Sequence, residues 1–346
     1  MKKVTAFALG IAALAAVTAT APPASNLRTS GDSLSGAGST FVTPLISKWQ
    51  VDYPAKTGVA INYNPIGSGG GIASITARTV DFGASDAPLT PDQFTACKGC
   101  VQIPWALSAT SIPYNLPGLS GRIHMSGPVL ANIFMGTITK WNDSAIKKLN
   151  PNLNLPDTTV TPVFRSDGSG TSFNFSDYLS AVSPQWKTKY GVSTQPAFPA
   201  GIGAKGSSGV TGVVTRTEGS LTYVDAAFAK KNNLQFFAMR NNSGKYTLPG
   251  LTGIKAAAST IDKVPLSNQM SIVNPPKEDH RAYPICTFTY AIVPLVTDKA
   301  AVLKRFLTYA VAPAQGQQFG PKLLFAPMPN LVTVAAVKTI AKIKQS

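Results

Sequence analysis

The segment Arg165–Thr171 (RSDGSGT) combines one arginine and one aspartate with small hydroxyl and glycine residues, and a helical apolar pattern follows it. The guanidinium of Arg165 is a planar fork of donors that suits an oxyanion. The first N–H groups of a helix have no partner within it, and the helix dipole favours a negative ligand there. The segment therefore predicts an anion site. Arg165 and Asp167 are also spaced to form a structural ion pair, and both roles hold if Asp167 orients the guanidinium.

Two other turns of similar composition precede helical patterns, Gly36–Phe41 (GAGSTF) and Gly67–Gly71 (GSGGG). Serine, threonine and glycine are preferred at ordinary helix starts, so capping alone explains any one of these turns. Three such turns, one of them with an arginine, favour a shared ligand. None has the spacing of a P-loop or of the dinucleotide fingerprint, which argues against a nucleotide.

Asp86 lies in the segment Val80–Thr90 (VDFGASDAPLT), after a strand predicted over Thr79–Phe82. The tripeptide Asp-Ala-Pro is typical of turns. The local pattern by itself therefore predicts a turn or helix-cap residue and assigns Asp86 no binding role.

Strand-like and helix-like apolar runs alternate along the chain, which predicts α/β architecture. A chain of 346 residues is longer than one compact core usually spans, so two lobes are expected. The spacing predicts helices over 45–53, 72–79, 129–134, 141–149 and 297–309 and after Thr171, and strands over 59–63, 160–164 and 283–296.

The N-terminus has two lysines, an apolar run over 4–17 and then small residues, which is the order of a secretory signal peptide. The apolar run is short for a membrane span, although an uncleaved anchor is the alternative. We predict a signal peptide over 1–19 and a flexible leader over 20–34. No cysteine lies near the cleavage site, so a lipoprotein anchor is not expected.

The formal net charge is +16, and removing Lys2 and Lys3 with the signal peptide leaves +14. Such a balance invites a nucleic-acid interpretation. The basic residues are scattered, however, with no run longer than two and no aromatic-basic repeat. We interpret the excess as a solvated surface that attracts anions at long range, and expect no specific nucleic-acid partner.

Three cysteines are present, and Cys97 and Cys100 are spaced for a tight local disulfide in an exported chain. A catalytic redox pair is a weaker alternative, because the apolar context of a thioredoxin motif is missing. A zinc site would need more ligands than His124 and His280 offer. Cys286 lies in an apolar stretch and is expected to be a buried free thiol. We predict no metal and no cofactor.

Four motifs occur in one order along the chain: GAGSTF, PIGSGGG, TVDFGASDAPLT and RSDGSGTSF. In this combination the chain resembles the periplasmic phosphate-binding proteins of bacterial ABC-type phosphate importers. The likeness covers about 34–234, thins over 235–280 and returns at 283–293. The resemblance implies a two-lobed, type II-like periplasmic-binding-protein fold with a hinge of crossing strands and a central ligand cleft. The discontinuous first lobe would comprise 35–108 and 285–346, and the second 109–284.

The resemblance also implies a site, whose ligand-binding residues would be Thr40, Phe41, Ser68, Asp86, Arg165, Ser169, Gly170 and Thr171, with Asp167 orienting Arg165. A carboxylate that faces an anion repels it unless the ligand carries a proton to donate. Phosphate does near neutral pH, where the second pKa of phosphoesters is about 6. Sulfate does not, so Asp86 would select against it.

The expected function is binding of phosphate outside the cytoplasm and its delivery to the membrane permease of an ABC importer. A monomer in the periplasm fits this role. One alternative is a relative that binds sulfate or arsenate, or acts as an extracellular sensor or adhesin. A phosphatase would need a nucleophile with a base, or metal ligands. The sequence offers neither arrangement, so we expect no enzymatic activity.

Overall fold

The structure is a computed structural model that describes Met1 and residues 33–346. The predicted signal peptide over 1–19, apart from Met1, and the predicted leader up to residue 32 lie outside the described residues. The first strand begins at Ser33. The assignment of Ser33 and Leu34 to a leader is therefore wrong, because both pair with the neighbouring strand and Leu34 is fully buried.

The described residues form strands that alternate with helices, so the predicted α/β class is confirmed. The strands are β1 (Ser33–Gly38), β2 (Ala60–Asn64), β3 (Phe82–Ser85), β4 (Cys100–Ser111), β5 (Pro113–Tyr114), β6 (His124–Met125), β7 (Thr161–Arg165), β8 (Ile202–Ala204), β9 (Ser220–Thr222), β10 (Val224–Asp225), β11 (Gln235–Phe236), β12 (Ala238–Arg240), β13 (Tyr246–Thr247), β14 (Ile272–Val273), β15 (Ile285–Pro294), β16 (Val296–Thr297) and β17 (Lys344–Gln345). The helices are α1 (Thr43–Thr57), α2 (Ser68–Thr76), α3 (Pro91–Ala96), α4 (Gly127–Phe134), α5 (Ser144–Leu149), α6 (Gly170–Val182), α7 (Pro184–Lys189), α8 (Gly206–Arg216), α9 (Ala226–Lys231), α10 (Leu251–Ala258), α11 (Ala300–Val311) and α12 (Asn330–Ala341). Two short 3-10 helices follow α11, at Gly316–Phe319 and Pro321–Leu323.

Two sheets dominate the arrangement. The larger has the strand order β10-β4-β15-β3-β1-β2, with β14 paired to β15 as well. The second has the order β11-β5-β9-β7-β8. In the first sheet β1 runs parallel to β2 and β3, and in the second β7 runs parallel to β8 and β9. The carboxyl ends of β1 and β3 therefore lie side by side, as do those of β7 and β8.

The long strands β4 and β15 form an antiparallel pair from Cys100↔Pro294 to Ala109↔Cys286. Every residue of β15 is buried, which explains its nearly continuous apolar sequence. The predicted strand over 283–296 is thus confirmed with shorter bounds. Strand β4 continues past this pairing and meets β10 through Thr110 and Ser111.

Helix α1 illustrates how the sequence pattern leads to packing. Leu45, Ile46, Trp49 and Tyr53 recur at helical spacing and are buried, and the helix ends at Gly58, whose φ of 75° suits glycine. Trp49 of this helix packs edge-on against Trp105 of β4, with ring centroids 5.2 Å apart, and against Phe306 of α11 at 6.2 Å. These aromatic contacts fix α1 against the larger sheet, and the predicted helix is confirmed.

The strand predicted over Thr79–Phe82 is wrong, because the strand before Asp86 is β3, Phe82–Ser85. Helix α2 ends at Thr76, earlier than predicted, and Arg78 takes a left-handed conformation with φ of 57°. The Asp81 carboxylate then accepts a hydrogen bond from the Ser35 backbone N–H at 2.7 Å. Residues 79–81 therefore form a bend that precedes the strand, and Asp86 directly follows the strand.

Cys97 and Cys100 are joined by a disulfide at the junction of α3 and β4, and Cys286 is a buried free thiol. The Arg78 guanidinium donates to Cys97 O at 2.7 Å and approaches Cys100 Sγ at 3.1 Å. The same side chain donates to Ile75 O at 2.8 Å. The disulfide loop is thereby tied to the C-terminal end of α2.

No helix among residues 33–346 is long and apolar enough to cross a membrane.

Reduction of the Cys97–Cys100 disulfide should lower the free energy of unfolding by about 2 kcal/mol, because the bond closes only a very short loop. Urea denaturation followed by tryptophan fluorescence, with and without a dithiol reductant, measures this change. The double variant Cys97→Ser/Cys100→Ser serves as the control and should not respond to the reductant. An identical unfolding midpoint of the wild-type protein in both conditions would contradict the prediction.

Candidate anion-binding site

The structure brings together the predicted site residues from five chain segments. Ser39–Phe41 follow β1, Ser68 opens α2, Asp86 follows β3, Arg165 ends β7, and Ser169–Thr171 open α6. All of these segments leave the carboxyl end of a strand or begin a helix. We refer to this set of residues as the candidate anion-binding site.

Backbone hydrogen bonds hold the three segments of the larger sheet in place. Ser39 N donates to Ala84 O at 2.8 Å, and Gly67 N donates to Gly38 O at 2.8 Å. Asp86 N donates to Ser68 Oγ at 3.2 Å. The Ser68 hydroxyl also stabilises the ionised form of the Asp86 carboxyl, which ties the start of α2 to the segment that follows β3.

Contacts also cross from the larger sheet to the segments that follow β7 and β8. Thr40 Oγ1 lies 2.8 Å from Ser207 Oγ, and Gly69 N donates to Gly168 O at 2.9 Å. A Cβ atom at Gly170 would lie 2.6 Å from both Ser68 Oγ and the Asp86 Cβ. Only glycine at this position lets the start of α6 approach Asp86 so closely.

Arg165 forms a two-point ion pair with Asp167. Its Nε donates to Asp167 Oδ1 at 2.7 Å and its Nη2 donates to Oδ2. The backbone N–H of Gly206 also donates to Oδ1 at 3.0 Å. Burial raises the pKa of Asp167, but the paired guanidinium more than offsets this, and the pKa lies below its ordinary value. Nη1 takes no part in this pair, so one edge of the guanidinium is left for a ligand.

Asp86 is the most strongly perturbed carboxyl that lines the site. It is 2% exposed, and burial raises its pKa to about 7. The Ser39 hydroxyl donates to Asp86 Oδ1 and, together with the charge of Arg165 and the Ser68 hydroxyl, only partly opposes this rise. Asp86 therefore exchanges its proton near neutral pH, which the turn pattern around it did not indicate.

The start of α6 offers a group of neutral donors. Ser169 caps the helix, and its Oγ accepts from Ser172 N at 3.1 Å, so its own proton is free to be donated. Thr171 Oγ1 is buried without a hydrogen-bond partner among the described residues. A buried hydroxyl without a partner is costly, so Thr171 is well suited to donate to a ligand.

The first turn differs from the predicted helix start. Helix α1 begins at Thr43, so Thr40 and Phe41 precede it and do not form its first turn. The Phe41 N–H donates to Ser39 Oγ at 3.0 Å. Ser39 was part of the GAGSTF motif but was not predicted to act in the site. Its position directly after a buried strand was the available signal.

The arrangement suits the binding of a proton-bearing oxyanion. It combines one guanidinium edge, several hydroxyl and backbone donors, and one buried carboxyl that exchanges its proton near neutral pH. Among the described residues no cluster of histidine, cysteine, aspartate and glutamate is arranged to hold a metal ion. A cavity of about 410 Å³ lies beside Asp86, between α6 and residues 269–272.

The chain matches known proteins over most of its length, and residues 19–314 match the PBP superfamily domain. It is thus a PBP-superfamily protein, in agreement with the fold and the site. The phosphate-binding protein PstS of Xylella fastidiosa is 43% identical over 90% of this chain and 86% of that protein. PstS of Pasteurella multocida is 36% identical over 88% of this chain and 89% of that protein. The chain belongs to the family of PstS phosphate-binding proteins.

A solved structure supports the same fold. A high-affinity periplasmic phosphate-binding protein (PfluDING), solved with phosphate bound, aligns with a TM-score of 0.71 and 20% identity over 89% of this chain and 93% of that chain. At this identity the likeness concerns the fold. The predicted periplasmic-binding-protein fold is therefore confirmed.

The free energy of unfolding of the ligand-free protein should contain a term from Asp86 that falls as the pH rises from about 4 to 7. Between the ordinary pKa of 3.8 and the folded value of about 7, the folded protein keeps a proton that the unfolded chain releases. The Asp86→Asn variant lacks this term, so it should gain stability relative to wild type by up to about 4 kcal/mol across this range.

Urea denaturation at pH 4, 5.5 and 7.5 measures the difference between the two proteins. The Asp157→Asn variant is the matched control, because that side chain is 71% exposed, and its difference from wild type should stay nearly constant. Parallel pH profiles for wild type and Asp86→Asn would contradict the assigned burial of the Asp86 charge.

Proposed function

We propose that this chain binds inorganic phosphate outside the cytoplasm and delivers it to the membrane permease of an ABC-type importer. The observation that carries the proposal is the buried Asp86 carboxyl, which shares a site with Arg165 and neutral donors. Relatives that are named PstS phosphate-binding proteins support it. So does the solved relative of the same fold with phosphate bound.

The charge pattern favours phosphate over sulfate. Ionised Asp86 accepts a charge-assisted hydrogen bond from the P–O–H group of hydrogen phosphate. Sulfate has no proton at this pH, so its oxygen would face a carboxylate in a buried site, at a cost of several kcal/mol. The same reasoning allows arsenate to bind, since it also carries a proton.

We infer two lobes that close around the anion, the first from 35–108 and 285–346 and the second from 109–284. The paired strands β4 and β15 lie at the two boundaries and would form the hinge. The contacts Thr40–Ser207 and Gly69–Gly168 join these lobes, and closure would make them while it excludes water from the ligand. Export through the predicted signal peptide would place the protein in the periplasm.

The site supports binding and not hydrolysis. Ser169 would be the nucleophile of a phosphatase, but the residues around it include no histidine to act as its base. His124 stacks on Tyr246, with ring centroids 4.0 Å apart, and is not hydrogen-bonded to the site. We therefore propose a monomeric receptor without catalytic activity, whose excess positive charge attracts anions without a specific nucleic-acid partner.

The Asp86→Asn variant should lose selectivity. Its amide oxygen is a weaker hydrogen-bond acceptor for the ligand's P–O–H group than a carboxylate, so phosphate affinity should fall about 10- to 100-fold at pH 7.5. Its N–H can donate to sulfate, so sulfate binding should become measurable. Calorimetric titration of phosphate-stripped protein with both anions tests this expectation.

The Asp177→Asn variant is the matched control for this titration. Asp177 is another carboxyl that lines the cavity beside Asp86, and burial raises its pKa, but it accepts a hydrogen bond from Ser271 Oγ at 2.7 Å. Its selectivity should equal that of wild type. If the Asp86→Asn variant keeps wild-type phosphate affinity and gains no sulfate binding, Asp86 is not the group that discriminates between the two anions.

A further inference from the structure

A second cleft lies away from the candidate anion-binding site, on the C-terminal half of helix α6. It has a volume of about 360 Å³ and lies between the start of α4, this half of α6 and the turn that joins β12 to β13. Tyr178 of α6 lines it and comes eight positions after Gly170, which is about 12 Å along the helix axis. None of the described residues that line this cleft belongs to the candidate anion-binding site. We refer to it as the α4 cleft.

The start of α4 leaves hydrogen-bond donors unused at the α4 cleft. Ser126 precedes the helix, but its side chain makes no capping hydrogen bond, in contrast to Ser169 at the start of α6. The N–H groups of Gly127 and Val129 have no backbone acceptor among the described residues. Such free N–H groups, together with the positive end of the helix dipole, favour a negative ligand.

The Tyr178 hydroxyl is an independent sign of a ligand in the α4 cleft. The residue is 1% exposed, and burial raises the pKa of its hydroxyl without any hydrogen bond that opposes the rise. A Cβ atom at Gly127 would lie 2.7 Å from this hydroxyl, so the hydroxyl is directed at the start of α4. A buried hydroxyl without a partner is costly, and a ligand that accepts from Tyr178 would remove this cost.

Arg240 gives the α4 cleft a positive charge. It ends β12, lines the cleft and takes part in none of the ion pairs of the described residues. No acidic side chain is found among the described residues that line the cleft. A guanidinium presents a planar fork of donors that fits two oxygens of one oxyanion. An anion in the cleft would therefore compensate a charge that the surrounding side chains do not.

We propose that the α4 cleft is a second ligand site, which binds an oxyanion group that carries no proton, such as a carboxylate or a sulfate. Arg240 supplies the charge, and the Tyr178 hydroxyl and the free N–H groups of α4 donate to the oxygens. All of these groups are donors, so the ligand needs no proton, whereas Asp86 requires one at the candidate anion-binding site. The volume lies within the range of small-molecule sites, so a small organic acid or sulfate ester fits.

Helix packing accounts for Gly127 but not for the polar groups of the α4 cleft. A Cβ atom at Gly127 would also lie 2.6 Å from Val182 Cγ2, so glycine lets α4 approach α6 closely. Phenylalanine in place of Tyr178 would serve the same packing without bringing a hydroxyl into it. Substitutions that keep the shape and remove the polar groups therefore separate ligand binding from packing.

Sulfate is the probe that distinguishes the two sites, because Asp86 disfavours it at the candidate anion-binding site. Isotope-labelled protein that holds one equivalent of phosphate is titrated with sodium sulfate at pH 7.5, and the backbone amide signals are followed by NMR. The signals of Gly127 and Val129 should shift with a dissociation constant of about 1–10 mM, since few groups hold a small ion in an open cleft. Sodium chloride at matched ionic strength is the control for salt effects.

A parallel titration with sodium succinate distinguishes the possible sources of the oxyanion. Binding of either anion with shifts at Gly127 and Val129 supports the site, and the tighter of the two identifies the class of ligand. If neither anion shifts these two signals beyond the chloride control, the proposal is wrong.

Two variants remove donors from the α4 cleft, and a third is the matched control. Arg240→Gln should weaken sulfate binding at least about tenfold, and Tyr178→Phe should weaken it about three- to fivefold. Arg216 is another exposed arginine, at the end of α8, and does not line the cleft. The Arg216→Gln variant should therefore keep the wild-type affinity within about twofold. Thermal melting checks that each variant is folded.

The comparison of the two arginine variants decides between a site and general attraction by a basic surface. A loss in Arg240→Gln with wild-type affinity in Arg216→Gln supports the site. Equal sulfate affinity in these two variants, or shifts spread over the whole surface, would overturn it. If Tyr178→Phe does not fold, Arg240→Gln alone decides, because its side chain is exposed.

The α4 cleft and the proposed phosphate-binding function fail separately. Arg240→Gln and Tyr178→Phe should leave calorimetric phosphate affinity at the candidate anion-binding site unchanged, because neither side chain belongs to it. Wild-type protein that does not bind phosphate would remove the proposed function, while the sulfate shifts at Gly127 and Val129 would still test the cleft.

Discussion

A carboxyl group removed from water must be compensated by its neighbours, and Asp86 imposes this constraint on the whole arrangement. An isolated ionised carboxylate in such a position would cost several kcal/mol, which is why burial moves its pKa to about 7. The Ser39 hydroxyl and the charge of Arg165 oppose that cost, and they come from the ends of β1 and β7. The two sheets must therefore present their strand ends to one point.

The close approach of the strand ends to one another depends on glycine residues. Gly67 has a φ of 92°, and a Cβ atom there would lie 2.3 Å from Asp167 Oδ2. A larger residue would displace the carboxylate that orients Arg165, and the guanidinium would lose its fixed direction. The selectivity of the site thus rests on backbone geometry as well as on charge, since a donor that is 1 Å out of place contributes little.

Local signals in the sequence predicted many of the elements and the three hydroxyl-and-glycine turns, whereas the full set of proposed site residues came from the resemblance to a known family. The spacing of buried residues predicts α1, and the hydroxyl turn before Phe175 predicts α6. The predicted strand over Thr79–Phe82 failed because Asp81 bonds to Ser35, a residue 46 positions away. Ser207 was missed for a related reason, since its partner Thr40 is 167 residues distant and no local pattern joins them.

Residue types, turn chemistry and helix periodicity are local properties, so the sequence by itself determined the α/β class, the three hydroxyl-and-glycine turns and the Arg165–Asp167 pair. The raised pKa of Asp86 was decided by the tertiary structure. Along the chain this aspartate lies in an ordinary turn context. Its pKa depends on burial and on the distance to other charges, and these quantities exist only once distant segments have packed together.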